Sequence, residues 1–109
     1  MDKKILHLNL KKKWFDLILS GEKTEEYREI KPYFEKRFKP HSHVHIGRTW
    51  YPCSMVQILF SNGYAKGRRQ MLVDIKGIRF NSTGKAEWGA EKDQTYFVLE
   101  LGNVTRLNC

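Results

Sequence analysis

Lys23, Glu26 and Arg28 fall within the short run Gly21-Glu-Lys-Thr-Glu-Glu-Tyr-Arg28, which sets an ammonium, a carboxylate and a guanidinium at the junction of a turn and a strand. From Thr24 onward the alternation predicts a strand with Thr24, Glu26, Arg28 and Ile30 on one face, and Glu25, Tyr27 and Glu29 on the other. At a rise of roughly 3.3 Å per residue, Glu26 and Arg28 are same-face neighbours about 7 Å apart, and Lys23, in the turn, can lean towards either. Such a trio can bind an anion or a base. A guanidinium forks onto a phosphate or a base edge, an ammonium adds a point charge, and the carboxylate orients both or accepts a hydrogen bond from an exocyclic amine. Catalysis asks for more, namely a lysine kept partly neutral or a carboxylate kept partly protonated. Burial pushes in that direction and mutual attraction opposes it. The plainer alternative is an exposed ladder of charge pairs, each worth little.

The neighbouring elements must position these groups. Ile5 to Leu10 alternates Leu6, Leu8 and Leu10 against Ile5, His7 and Asn9 and reads as a strand with one dry face. Between Lys11 and Ser20, apolar Trp14, Leu17 and Ile18 recur at helical spacing, so a short amphipathic helix should end in Gly21 as its left-handed residue. Pro32 closes the motif strand, Tyr33 to Phe38 predicts a short helix ending before Pro40, and His43 to Ile46 another strand. Gly47 to Pro52 reads as a loop carrying Arg48, Trp50 and Tyr51. Ser54 to Phe60 and Gln70 to Phe80 are the longest strand candidates, joined as a hairpin through Asn62-Gly63 and Gly67-Arg68-Arg69. Asn81 to Asp93 is expected to loop across one end, and Gln94 to Leu101 to return as a strand deep in the sheet.

The chain of 109 residues has room for one core, so residues 1–109 are expected to form a single domain, and 40% hydrophobic residues exclude a wholly disordered chain. Twenty Lys and Arg against twelve Asp and Glu leave a net charge of +8, which favours polyanionic partners through counterion release. Surplus lysines also serve plain solubility. Cys53 and Cys109 make neither a disulfide framework nor a metal cluster. The apolar stretch after Met1-Asp2-Lys3-Lys4 is too short for a signal peptide, and no run approaches the roughly 20 apolar residues of a membrane span. The expected location is the cytoplasm, with no membrane association.

Gly21-x-Lys23-x-x-Glu26-x-Arg28 resembles the G-x-K-x-x-E-x-R signature of ASCH domains, a branch of the PUA-like superfamily. Phe60-Ser-Asn-Gly-Tyr64, Glu87-Trp-Gly-Ala90 and Tyr96 to Gly102 extend the resemblance over nearly the whole chain, towards the small stand-alone bacterial and phage type. It implies an α+β fold, a mixed and mostly antiparallel PUA-like β-barrel with about two short helices. With the alternation from Thr24 to Ile30 it also implies a central motif strand whose Glu26 and Arg28 point into a concave region, and a cleft beside the motif for RNA or a nucleoside or nucleotide ligand. Some similar small proteins hydrolyse the amide of N4-acetylcytidine with a lysine, a threonine three residues after it and a remote glutamate, and others cleave RNA. Glu26 stands where that threonine would be, and Thr24 directly follows Lys23. A hydrolase built on this motif would instead use Glu26 as general base, Lys23 to stabilise the oxyanion, and Glu87 or Glu91 as a second carboxylate.

Trp14, Phe15, Phe60, Tyr96 and Phe97 lie at helix or strand spacing and are expected in the core. Trp50, Tyr51, Tyr64 and Trp88 lie in Gly- or Pro-flanked contexts where a ring can stack on a base or anchor a loop. The expected ligand-binding set is therefore Lys23, Glu26, Arg28, Trp50, Tyr64 and Trp88, with Lys23 and Glu26 as the catalytic pair if the chain is an enzyme. Lys11 to Lys13, Lys36, Arg37, Lys39, Arg68 and Arg69 supply the surrounding field. His41, His43 and His45 would share a strand face, yet no cysteine or carboxylate at matching spacing completes a metal site, so neither metal nor cofactor is implied. Ser54, Ser61 and Thr24 lack a G-x-S-x-G elbow. Binding of RNA or a nucleotide ligand is the leading expectation and a small hydrolase the alternative. A purely protein-binding adaptor has only the exposed aromatics in its favour.

Overall fold

The computed structural model describes residues 2–39 and 42–108 of the chain. Alternating leucines make β1 (Lys4–Leu10), with Leu6, Leu8 and Leu10 buried on one face. Helix α1 (Lys12–Leu19) follows and drives Phe15 and Ile18 into the core. It ends as its sequence predicts. Gly21 takes φ +87°, its N–H donates to Ile18 O at 3.1 Å, and the N–H of Lys23 donates back to Leu17 O at 3.0 Å. The helix end thus fixes the backbone of Lys23 before the motif strand β2 (Glu25–Glu29) begins.

After β2 the chain makes a single helical turn, α2 (Pro32–Glu35), with proline in its first turn, and then β3 (Phe38–Lys39), β4 (His43–Ile46) and β5 (Thr49–Pro52). The long strands are β6 (Val56–Asn62), β7 (Gln70–Ser82) and β8 (Tyr96–Asn108). They form a five-stranded sheet in the order β1-β6-β7-β8-β2, in which β1 runs parallel to β6 and the other pairs are antiparallel. A second, antiparallel sheet is ordered β3-β4-β5. The fold is α+β, with two helices and mostly antiparallel mixed sheets.

Three expectations need correction. The stretch from Gly47 to Pro52 is not a loop throughout, because Gly47 and Arg48 make a tight turn and β5 pairs with β4, setting Trp50 opposite His45. The helix expected over Tyr33 to Phe38 stops after Glu35, since Phe38 is taken into β3 against Val44. The motif strand, expected to be central, lies at a sheet edge: β2 is five residues long and pairs only with β8. β8 does lie inside the sheet, and it continues past Gly102 to Asn108 because β7 is long enough to pair with it.

A row of rings ties the sheets together. Phe34 stacks on Phe38 at 5.9 Å, Phe38 meets Phe97 of β8 at 5.4 Å, and Phe97 meets Phe80 of β7 at 5.2 Å. Of these, Phe38 and Phe97 are almost wholly buried, and Val44 beside them is fully so. Phe38→Ala leaves a cavity where the small sheet docks on β8 and is expected to cost about 3 kcal/mol or more. Native-state hydrogen exchange should show the amides of β4 and β5 released ahead of those of β6 and β7; uniform acceleration in both sheets would contradict this docking role.

Candidate functional site

At the end of α1 the Lys23 side chain turns inward and is 1% exposed. Its Nζ donates to Glu26 Oε1 at 2.9 Å and to the carbonyl oxygen of Glu25, and it lies 4.9 Å from the Tyr27 ring centre and 5.6 Å from that of Trp14. Burial lowers the Lys23 pKa below its ordinary value, against the pull of the Glu26 carboxylate. Glu26, 7% exposed, accepts on its other oxygen, Oε2, from Arg28 Nη2 at 2.7 Å. The same Nη2 donates to Asn9 O on β1 at 3.0 Å. The predicted alternation holds, because Glu26 pairs with Arg28 on one face while the Tyr27 hydroxyl donates to Glu25 Oε1 at 2.8 Å on the other.

The ion triad therefore does two jobs. It neutralises a lysine buried between two aromatic rings, and through Arg28 it joins β2 to β1, which share no ladder. Arg28 Nε is shielded from solvent and has no hydrogen-bond partner among the described residues. A lost partner of this kind costs about 1 to 3 kcal/mol, so the guanidinium is held where it is by its other contacts.

The triad separates two clefts. One, of about 370 Å³, is bordered by Arg28 together with His7, Ser61, Tyr33, Tyr64 and Arg68. Tyr64 is 86% exposed and Tyr33 54%, so neither ring serves the core. The other cleft, of about 420 Å³, has Glu26 in its wall with Trp14, Trp88, Tyr96 and Glu91. Gly89, at φ +99°, lets the backbone lie against the Trp14 ring, where a Cβ would come within 2.9 Å of Cζ2. Trp14 thus lies between the Gly89 backbone and Lys23 Nζ, which is 5.6 Å from its ring centre.

Of the six residues expected to bind a ligand, Arg28 and Tyr64 share the first cleft and Glu26 and Trp88 the second. Lys23 lies beneath, away from both. Trp50 borders a third cleft with Lys36, Arg37 and His45, against the small sheet. Among the remote carboxylates Glu91 joins Glu26, Glu87 is not among the lining residues, and Thr24 is exposed and lines none of the three. Arg68 borders the first cleft, whereas Arg69 is turned to Asp16 at 2.7 Å.

Sequence reasoning missed three participants. Asn9 contributes a backbone carbonyl, which no side-chain pattern reveals. Tyr33 was assigned only to a helix, and Trp14, assigned to the core, is half-buried and borders the second cleft. Phe15, Phe60, Tyr96 and Phe97 are buried as expected. His41 and Cys109 lie outside the described residues; His43 contacts Ser42 Oγ and His45 packs on Trp50. No group of three metal-ligating side chains occurs among the described residues, and no described helix is long and apolar enough to cross a membrane. No family model matches the chain, and comparison with curated proteins and with solved structures likewise yields no match.

Two measurements check this geometry. Lys23→Met strips the buried carboxylate of one of its two cations and should lower unfolding free energy by on the order of 3 kcal/mol in urea titration; a loss within error would mean that Lys23 is not paired. Tyr27, half-buried and beside Glu25, has its pKa pushed up to about 12 by desolvation, despite the Lys85 N–H on its oxygen. One of the five tyrosines should thus ionise late in an ultraviolet titration. Since the folded value is the higher one, the stability Tyr27 contributes is complete below about pH 10 and falls away as pH rises through 12.

Proposed function

We propose that this chain is an ASCH-type domain, PUA-like in fold, that binds RNA or a nucleotide-derived ligand in the cleft bordered by Arg28. The observation that carries the reading is the state of Arg28. Glu26 and Asn9 O take both protons of its Nη2, so the guanidinium is set in place before any ligand arrives, with Nη1 left to donate. Around it stand the cation of Arg68, the polar groups of His7 and Ser61, and the exposed rings of Tyr33 and Tyr64. Phosphate on the guanidinia and a base on a tyrosine is the chemistry that this set accommodates. A net charge of +8 adds long-range attraction. In this reading the Arg28 to Asn9 bond stands where a closed barrel would place a β1–β2 ladder.

A second reading, hydrolysis in the opposite cleft, has one observation in its favour: Glu26 and Glu91 share that cleft above a lysine whose pKa burial lowers. Binding is preferred because both oxygens of Glu26 are already engaged by cations, which leaves a poor general base.

Arg28→Lys keeps the charge and removes the guanidinium that Glu26 and Asn9 O orient. It should weaken binding of a labelled oligouridylate by about tenfold or more, as expected for loss of an oriented charge-assisted hydrogen bond. The wild-type log-log salt slope should be about 0.7 per phosphate neutralised. Unchanged affinity in the variant would remove Arg28 from the site. Release of acetate from N4-acetylcytidine by the wild type, abolished in Glu26→Gln, would establish the hydrolytic reading instead.

A further inference from the structure

We infer that the ligand is a single-stranded polynucleotide that runs from the Arg28 cleft into the cleft beside Trp50, not a lone nucleotide; the inference rests on the nucleotide reading above. Trp50 has no part in the Arg28 site. It borders a separate cleft of about 550 Å³ whose other walls are Lys36, Arg37 and His45. The indole stands next to the His45 ring at 5.0 Å, with Lys39 Nζ 4.7 Å from its centre. An aromatic surface among three cations and a histidine is suited to a base and its phosphates.

The two clefts meet at one contact. Tyr33 borders the first and Arg37 the second, and the Arg37 guanidinium lies 3.6 Å from the centre of the Tyr33 ring, with Nη1 donating to Tyr33 O at 2.6 Å. The stack sets a cation on an exposed ring at the border of the two clefts. The first cleft combines the cations of Arg28 and Arg68 with the rings of Tyr33 and Tyr64, and the second combines Lys36 and Arg37 with Trp50. A mononucleotide can fill one cleft only. A flexible strand presents a phosphate and a stackable face at every step, which suits two such clefts joined through Tyr33 and Arg37. The Trp50 cleft is lined by no carboxylate, which fits the same anionic ligand.

The test compares labelled oligouridylates of roughly three and about ten nucleotides, the longer within the usual span of single-strand sites. Binding is read by fluorescence anisotropy for wild type, Trp50→Ala, Lys36→Glu and Arg28→Lys. The longer strand should bind the wild type more tightly. Trp50→Ala should weaken it by about fivefold or more, the loss of one stacked base, and leave the trimer within about twofold. Lys36 is exposed, so Lys36→Glu repeats the test at a position where folding is not at issue and should act in the same direction. Arg28→Lys should weaken both lengths. If Trp50→Ala and Lys36→Glu leave the longer strand unaffected while Arg28→Lys weakens both, the track is wrong and the Arg28 site stands. If Arg28→Lys changes neither length, the underlying nucleotide reading fails. Polyglutamate that binds as tightly as the oligonucleotide would replace the polynucleotide by an acidic polypeptide. An oligothymidylate of equal length separates the two sources: equal affinity assigns backbone and stacking, and weaker binding assigns the ribose hydroxyls.

Discussion

A carboxylate removed from water needs hydrogen bonds on both oxygens, and Glu26 takes them from two cations that arrive from opposite directions. Lys23 comes from the end of α1 and Arg28 from two residues further along β2. Neither cation would be stable where it lies without the carboxylate. Lys23 is buried between Trp14 and Tyr27, and Arg28 has a shielded Nε without a partner among the described residues. The interaction is therefore less a source of net stability than a constraint on geometry, since replacing a buried ion pair by well-packed apolar groups is often neutral or better.

That constraint propagates outward in both directions. On one side Gly89 approaches the Trp14 ring, Trp14 covers Lys23, and Lys23 holds Glu26. On the other, Glu26 holds Arg28, whose second bond to Asn9 O links the two edge strands of the large sheet. The mouth of the first cleft thus depends on a bond between strands that share no ladder. Its rim is furnished differently, by the exposed rings of Tyr33 and Tyr64. Charge held in place at the base and exposed rings at the edge are the features on which the proposed binding reading rests.

Local pattern made much of this legible. The period-two alternation from Thr24 to Ile30 placed Glu26 and Arg28 on one face, and the helical spacing before Gly21 placed the helix end that sets Lys23. The β6–β7 hairpin was readable from its turn residues. Long-range pairing was not. Nothing in residues 25–29 distinguishes an edge strand from a central one, because sheet order is decided by partners far away in the chain. β5 was hidden because Gly47 and Arg48 signal a turn whose second arm is only four residues long. That short arm is what carries Trp50 away from Arg28. The burial of Lys23 was likewise invisible, since it depends on two rings from different elements closing over one side chain.

The central claim is that Glu26 acts on a ligand through Arg28 and not by touching it. A double-mutant cycle on oligouridylate affinity, with Glu26→Gln and Arg28→Lys singly and together, measures this directly. If Glu26 positions Arg28, Glu26→Gln weakens binding in the native background and adds nothing in the Arg28→Lys background. Losses that simply add would show that Glu26 meets the ligand independently, and would contradict the account.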